Sequence, residues 1–140
     1  MQKPLIPAFF LTLFLLASCG KSTDTPETVD LWVVSFYNND QVGNDLSDDT
    51  KLFTGYTFEF KSDNQLAIYP PTGGVQQAKW GADQLNNVFF IAMDNAATPV
   101  DYLMGQWELV LQNDTDIKLK KNIGAEPNAA YAPVLEFKKQ

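Results

Sequence analysis

Three glutamates, Glu59, Glu108 and Glu136, are the side chains best suited by type to acid–base work. A glycosidase-like pair must hold two carboxyl groups about 5 to 9.5 Å apart across one bond. All three glutamates fall on expected outward strand faces among lysines, so surface charge is the reading they support. The run from Asp40 to Asp49 carries enough oxygen donors for calcium, a hard cation taking about six to eight of them. Its glycine and acids do not stand in the register of an EF-hand loop, and it reads as a solvated loop, as does the weaker Asp114 and Asp116 turn pair. With no histidine and a single cysteine, the chain cannot build a Ser-His-Asp or Cys-His constellation, a disulfide framework or a Cys/His zinc site. No glycine-rich phosphate loop is present either. No catalytic residue, metal ligand or cofactor is therefore assigned, and a non-enzymatic protein is expected.

The remaining candidates are aromatic. Trp32, Tyr56, Phe58, Trp80, Phe89 and Trp107 could line the cavity of a β-barrel and hold a small apolar ligand, or could simply fill it. Tyr37, Tyr56, Tyr69 and Tyr102 could stack on sugar rings if strand ends leave them exposed. The 140 residues, 45% apolar and 13% aromatic, fit one compact domain. Ten lysines, no arginine and seventeen acids give a formal charge of −7, which disfavours a nucleic-acid partner and repels anionic membrane surfaces.

The N-terminus places Lys3 before an apolar run from Leu5 to Ala17. At about 13 residues the run falls short of the roughly 20 that a membrane-spanning helix needs, and reads as a signal peptide. It ends in Leu16-Ala17-Ser18-Cys19, which resembles the bacterial lipobox. That resemblance implies cleavage after residue 18 and acylation of Cys19, an anchor that several acyl chains make firm. Gly20 and Lys21 supply no acidic retention signal, which by resemblance to enterobacterial sorting favours the outer membrane. Residues 19–28 are polar, contain Pro26 and read as a flexible tether. Residues 29–140 then form a single domain.

The domain must position its aromatics with strands, because its apolar residues recur mostly at period two. The first strand, Val29 to Asn38, is apolar on both faces. Tyr56, Phe58 and Phe60 share a face of the second. Leu66 and Ile68 continue inward on the third, which Pro70 ends. Ala78 and Trp80 face in on the fourth, and Phe89, Ile91 and Met93 on the fifth, which is expected over Leu85 to Met93. Thr98-Pro99-Val100-Asp101 reads as a capping box opening a short helix near 99–104. Trp107, Leu109 and Leu111, then Ile117 and Leu119, then Leu135 and Phe137, supply the inward faces of the last three strands. The fold expected is all-β, an eight-stranded antiparallel meander closed as a barrel or flattened into a sandwich.

The opening Leu31-Trp32-Val33-Val34, the Phe53-to-Phe60 strand, Ala78-Lys79-Trp80, Trp107-Glu108-Leu109, Ile117-Lys118-Leu119 and Leu135-Glu136-Phe137-Lys138 follow one another in an order that resembles the small lipocalin-like lipoproteins of Bacteroidetes-type Gram-negative bacteria. The resemblance implies a calycin-like barrel without an established activity. Asp30 and Leu31 precede Trp32 where standard lipocalins carry Gly-x-Trp, and the arginine that often closes a lipocalin barrel is missing. The functional expectation is a lipid-anchored cell-envelope binding module for a small apolar or amphipathic ligand. The alternative is a solidly packed barrel that meets another envelope protein.

Overall fold

The computed structural model describes residues 29–39, 48–121 and 132–140. Its strands are β1 (Trp32–Asn38), β2 (Thr57–Phe60), β3 (Gln65–Tyr69), β4 (Gln76–Asp83), β5 (Val88–Ala92), β6 (Gly105–Gln112), β7 (Asp116–Lys120) and β8 (Val134–Lys139). Each pairs antiparallel with the next, and β8 pairs with β1, so the eight strands close into a barrel. Closure leaves no free sheet edge, and this settles barrel over sandwich.

The inward faces follow the alternation of the sequence. Phe58, Leu66, Ile68, Phe89, Ile91, Trp107, Ile117, Leu119, Leu135 and Phe137 are all buried. Outward positions of the same strands carry Glu59, Lys79, Glu108, Lys118, Glu136 and Lys138. An apolar inside under a charged outside is the reverse of a membrane-spanning barrel. Among the described residues no helix is long and apolar enough to cross a membrane.

Four details depart from the simple alternation. β1 spans Trp32–Asn38 rather than starting at Val29, and its register against β8 shifts between Val34 and Phe36. The bulge at Ser35 moves the inward set from Trp32 and Val34 to Tyr37, which is why both faces of this strand look apolar in sequence. A second bulge, between Leu109 and Leu111 on β6, turns Leu111 outward to 39% exposure. Leu85 belongs to the turn after β4 and not to β5, because Asp83 accepts the backbone N–H groups of Leu85 and Asn86 (both 3.1 Å) and fixes the hairpin there. Asn87 completes that turn at φ 53°, a left-handed conformation that asparagine tolerates.

The expected helix near 99–104 is a single 3₁₀ turn, Val100–Leu103. Pro99 is its N-cap, not its first helical residue, and no side chain caps it. The Thr98 hydroxyl bonds the Asp101 carboxylate instead, at 3.2 Å, which leaves no side-chain oxygen on the orphan N–H groups that would let a longer helix start. A second 3₁₀ turn, Thr50–Phe53, lies where the sequence reads as loop. It substitutes for β2 beside the upper half of β1: Tyr37 donates its N–H to Thr50 Oγ1 at 2.8 Å and accepts the Asp49 N–H at 2.8 Å. β1 and β2 themselves pair at Trp32 and Phe58 alone.

The meander gives the barrel two unlike ends. At the hairpin end lie the short turns β2–β3, β4–β5 and β6–β7, with the start of β1 and the end of β8. The longer connections leave from the other, the loop end.

Candidate functional site

The hairpin half of the interior is a cluster of rings centred on Phe60. Its ring centroid lies 6.0 Å from Trp32, 5.2 Å from Trp80, 6.0 Å from Phe89 and 5.2 Å from Phe137, all edge to face. Phe58 meets Phe137 at 5.1 Å in the same manner. Such T-shaped pairs add about 0.5–1.5 kcal/mol each beyond the area they bury. Trp80 is pinned by its indole N–H, which donates to the Lys61 carbonyl at 2.9 Å, and by its backbone N–H, which donates to Asn64 at 3.0 Å. Asn64 adopts φ 65° and returns a side-chain bond to the Trp80 carbonyl at 3.3 Å. The β2–β3 turn thus locks the indole across this end.

The loop half is closed by a second cluster. Tyr37 stands edge to face with Phe53 at 5.2 Å and stacks against Tyr102 at 6.5 Å, and Phe53 meets Tyr56 at 6.0 Å. The Trp107 indole N–H donates to the Leu103 carbonyl at 2.9 Å and ties the Val100–Leu103 turn over the core. Lys121 Nζ sits 5.1 Å from the centre of the Trp107 ring. The Tyr37 hydroxyl is fully buried and has no hydrogen-bond partner among the described residues. Desolvation, reinforced by Asp49, Tyr102 and Asp101, pushes its pKa far above the usual tyrosine value. A second buried, unpartnered oxygen is Gln76 Oε1, at the start of β4 on this end.

These clusters divide the six candidate ligand residues. Trp32 and Trp80 lie in the hairpin half with Phe58 and Phe89, whereas Tyr56 and Trp107 lie in the loop half. The division is not complete, since Phe89 and Trp107 stand opposite each other in register across β5 and β6, and the buried aromatics pack with Phe60 into one continuous core. Trp107 and Tyr56 each border a different open groove, of about 660 and 280 Å³. Trp107 is 1% exposed and so offers almost no ring surface to its groove, whose other walls are Asn86, Asn87, Val88, Gln106 and Glu108. A further groove of about 400 Å³ lies at the hairpin end between Val29, Asp30 and Glu59 to Asp63. The four tyrosines considered for sugar stacking are likewise not exposed platforms: Tyr37 is buried and Tyr56, Tyr69 and Tyr102 are half-buried.

The carboxylates stay apart. Glu59 accepts the Tyr69 hydroxyl at 2.7 Å and pairs loosely with Lys61 at 3.8 Å; that hydrogen bond raises the Tyr69 pKa. Glu136 pairs across strands with Lys118 at 3.3 Å, and Glu108 stands opposite Lys120 in register. All three face outward, on β2, β8 and β6. Among the described residues no three acidic, histidine or cysteine side chains converge on a common point. Asp48 and Asp49 accept backbone N–H groups of Thr50 (3.0 Å) and Asn39 (3.3 Å); the Thr50 bonds hold Asp48 below the usual carboxylate pKa. The rest of the Asp40–Asp49 run, and residues 1–28 with Cys19 and the segments expected as leader and tether, lie outside the described residues.

Sequence reasoning missed Phe60 as the hub of the interior and Tyr37 as its buried hydroxyl. Phe60 had a legible signal, as the last member of the cleanest alternating strand. Tyr37 had none, since only the bulge at Ser35 turns it inward. Comparison with family models, with curated proteins and with solved structures found no match for this chain.

Proposed function

We propose that the chain is a non-enzymatic, lipid-anchored protein of the cell envelope, held to the outer membrane through Cys19, whose packed barrel is a rigid platform for another envelope protein. One observation carries the choice of platform over container: Phe60 plugs the hairpin half of the barrel and touches four other rings. A ligand cup needs a cavity of about 300 Å³ or more inside the barrel, and the interior aromatics stand where it would be.

The test is photo-crosslinking in intact cells with a benzophenone amino acid at exposed loop-end positions Thr72 or Ala97, compared with Gln77 on the barrel wall. A discrete protein adduct from the loop end, and none from Gln77, supports the platform. Adducts from none of these positions overturn it.

A second reading, carriage of a small ligand at the mouth of the barrel, is favoured by the unpartnered Tyr37 hydroxyl and Gln76 oxygen at the loop end. Buried polar atoms are nearly always hydrogen-bonded, and a ligand donor at the mouth of the barrel would satisfy such an oxygen. Under that reading Tyr37→Phe loses a bound molecule.

A further inference from the structure

The hairpin end carries apolar side chains that the barrel does not use. Leu85, at the tip of the β4–β5 turn, is 96% exposed. Val110 and Leu111, turned out by the β6 bulge, are 59% and 39% exposed. They share a shallow groove with Gln84 and Asn87, the residues that flank the Leu85 tip. Val29, 53% exposed, stands at the same end beside the β2–β3 turn. No strand pairing or core contact accounts for Leu85. Its turn is built by Asp83, whose carboxylate also bonds the Asn86 side chain at 2.6 Å, so the tip is held in place with its leucine outward.

The described chain begins at this same end. Nine residues lie between Cys19 and Val29, ten Cα steps with a reach of about 36 Å at full extension. An acyl anchor at Cys19 therefore delivers the hairpin end to the bilayer first, with the loop end a barrel length further away. Tethering also raises the effective concentration of the surface to about the millimolar range, at which a contact of a few side chains is populated.

We propose that the hairpin end is a membrane-docking surface, on which Leu85, with Val110, Leu111 and Val29, enters the interface of an electroneutral lipid bilayer. The inference rests on the anchor at Cys19. Electroneutral lipid follows from the charges around the leucine: Asp30, Asp63, Asp83, Asp114 and Asp116 outnumber Lys61, Lys138 and Lys139, and Asp30 is paired with Lys139 at 2.7 Å. An anionic headgroup would be repelled. Docking in this pose turns the loop end, where the platform reading places its partner, away from the membrane.

The test uses the full chain made with its own leader and extracted from membranes. Intact mass first reports whether Cys19 carries lipid. Asp114→Cys at the hairpin end and Val75→Cys at the loop end are then labelled with an environment-sensitive fluorophore and reconstituted into phosphatidylcholine vesicles with brominated acyl chains. Docking predicts several-fold stronger quenching at residue 114 than at residue 75. Adding Leu85→Ser to the Asp114→Cys chain brings its quenching down to the loop-end level, and replacing part of the lipid with phosphatidylglycerol weakens it. Equal quenching at the two ends on a lipidated chain overturns the docking surface and leaves the anchor intact. Stronger quenching with phosphatidylglycerol overturns the electroneutral assignment. An unmodified Cys19 overturns the anchor, and the docking surface with it.

Discussion

Tyr37 and Tyr102 stack with their ring centroids 6.5 Å apart and their planes within 15° of parallel, and the Tyr37 hydroxyl beside that stack has no hydrogen-bond partner among the described residues. Leaving a hydroxyl buried and unpaired costs about 1–3 kcal/mol. Tyr37→Phe keeps the ring contacts with Tyr102 and Phe53 and removes the cost, so it is expected to raise stability by roughly 1 kcal/mol, or about 4–8 °C in melting temperature. Thermal denaturation of the two proteins checks this, and a lower melting temperature for the variant contradicts it.

The same hydroxyl sets an alkaline limit. Burial raises the Tyr37 pKa in the folded state above its unfolded value of about 10, so the protonated form favours folding. That contribution is intact below about pH 10 and is lost as pH rises toward the folded pKa. Urea midpoints measured at about pH 8 and about pH 11 should fall further in the parent than in Tyr37→Phe. Equal falls would show that Tyr37 ionises as freely as an exposed tyrosine.

Phe60 is the hub of the hairpin-half cluster, and truncation there removes contacts to Trp32, Trp80, Phe89 and Phe137 together. Phe60→Ala is expected to cost about 3 kcal/mol, at the lower end for Phe→Ala because the ring is half-buried. Near-ultraviolet circular dichroism should lose part of the Trp32 and Trp80 signal at the same time. A cost below about 1 kcal/mol would mean that the interior is loosely filled.

On the outer wall, the Phe90 ring occupies the space that a side chain on its cross-strand partner Gly81 would need. Gly81→Ala must displace that ring and is expected to destabilise the barrel by about 1–2 kcal/mol. Phe90→Ala in the same chain should remove most of that penalty, which a double-mutant cycle reads as a coupling. Additive effects would place the ring elsewhere in solution.

The Asp83 carboxylate is held below the ordinary aspartate pKa by the Asn86 side-chain amide and by backbone N–H groups of Asn86 and Leu85. Its folded pKa is depressed, so its stabilisation is present above about pH 4 and is lost as pH falls through the folded value. Carboxyl-carbon NMR should show Asp83 titrating below the ordinary aspartate range, and Asn86→Ala should return it toward that range. An unchanged titration in that variant would remove the turn bond from the account.

Phe58, Ile68, Phe89, Ile117 and Phe137 show how far period-two alternation carries: each was legible as inward and each is buried. The positions that resisted reading are those where alternation breaks. Bulges at Ser35 and Val110 each insert a residue, which exchanges the faces beyond it, and neither residue type announces a bulge. The Thr50–Phe53 turn was hidden for a different reason, since its role beside β1 depends on two long-range bonds, from the Tyr37 N–H to Thr50 and from the Asp49 N–H to the Tyr37 carbonyl. The candidate site was half legible. The aromatics that fill the barrel could be named from sequence, but whether they surround a cavity depends on side-chain volumes meeting across strands far apart in the chain, as Phe60 and Phe137 do.

Native mass spectrometry of the full chain, purified gently from membranes and released from detergent in the gas phase, tests the filled barrel most directly. The account predicts the mass of the chain with its covalent lipid and nothing more. A stoichiometric small-molecule adduct, lost on denaturation, would contradict it and establish the barrel as a carrier.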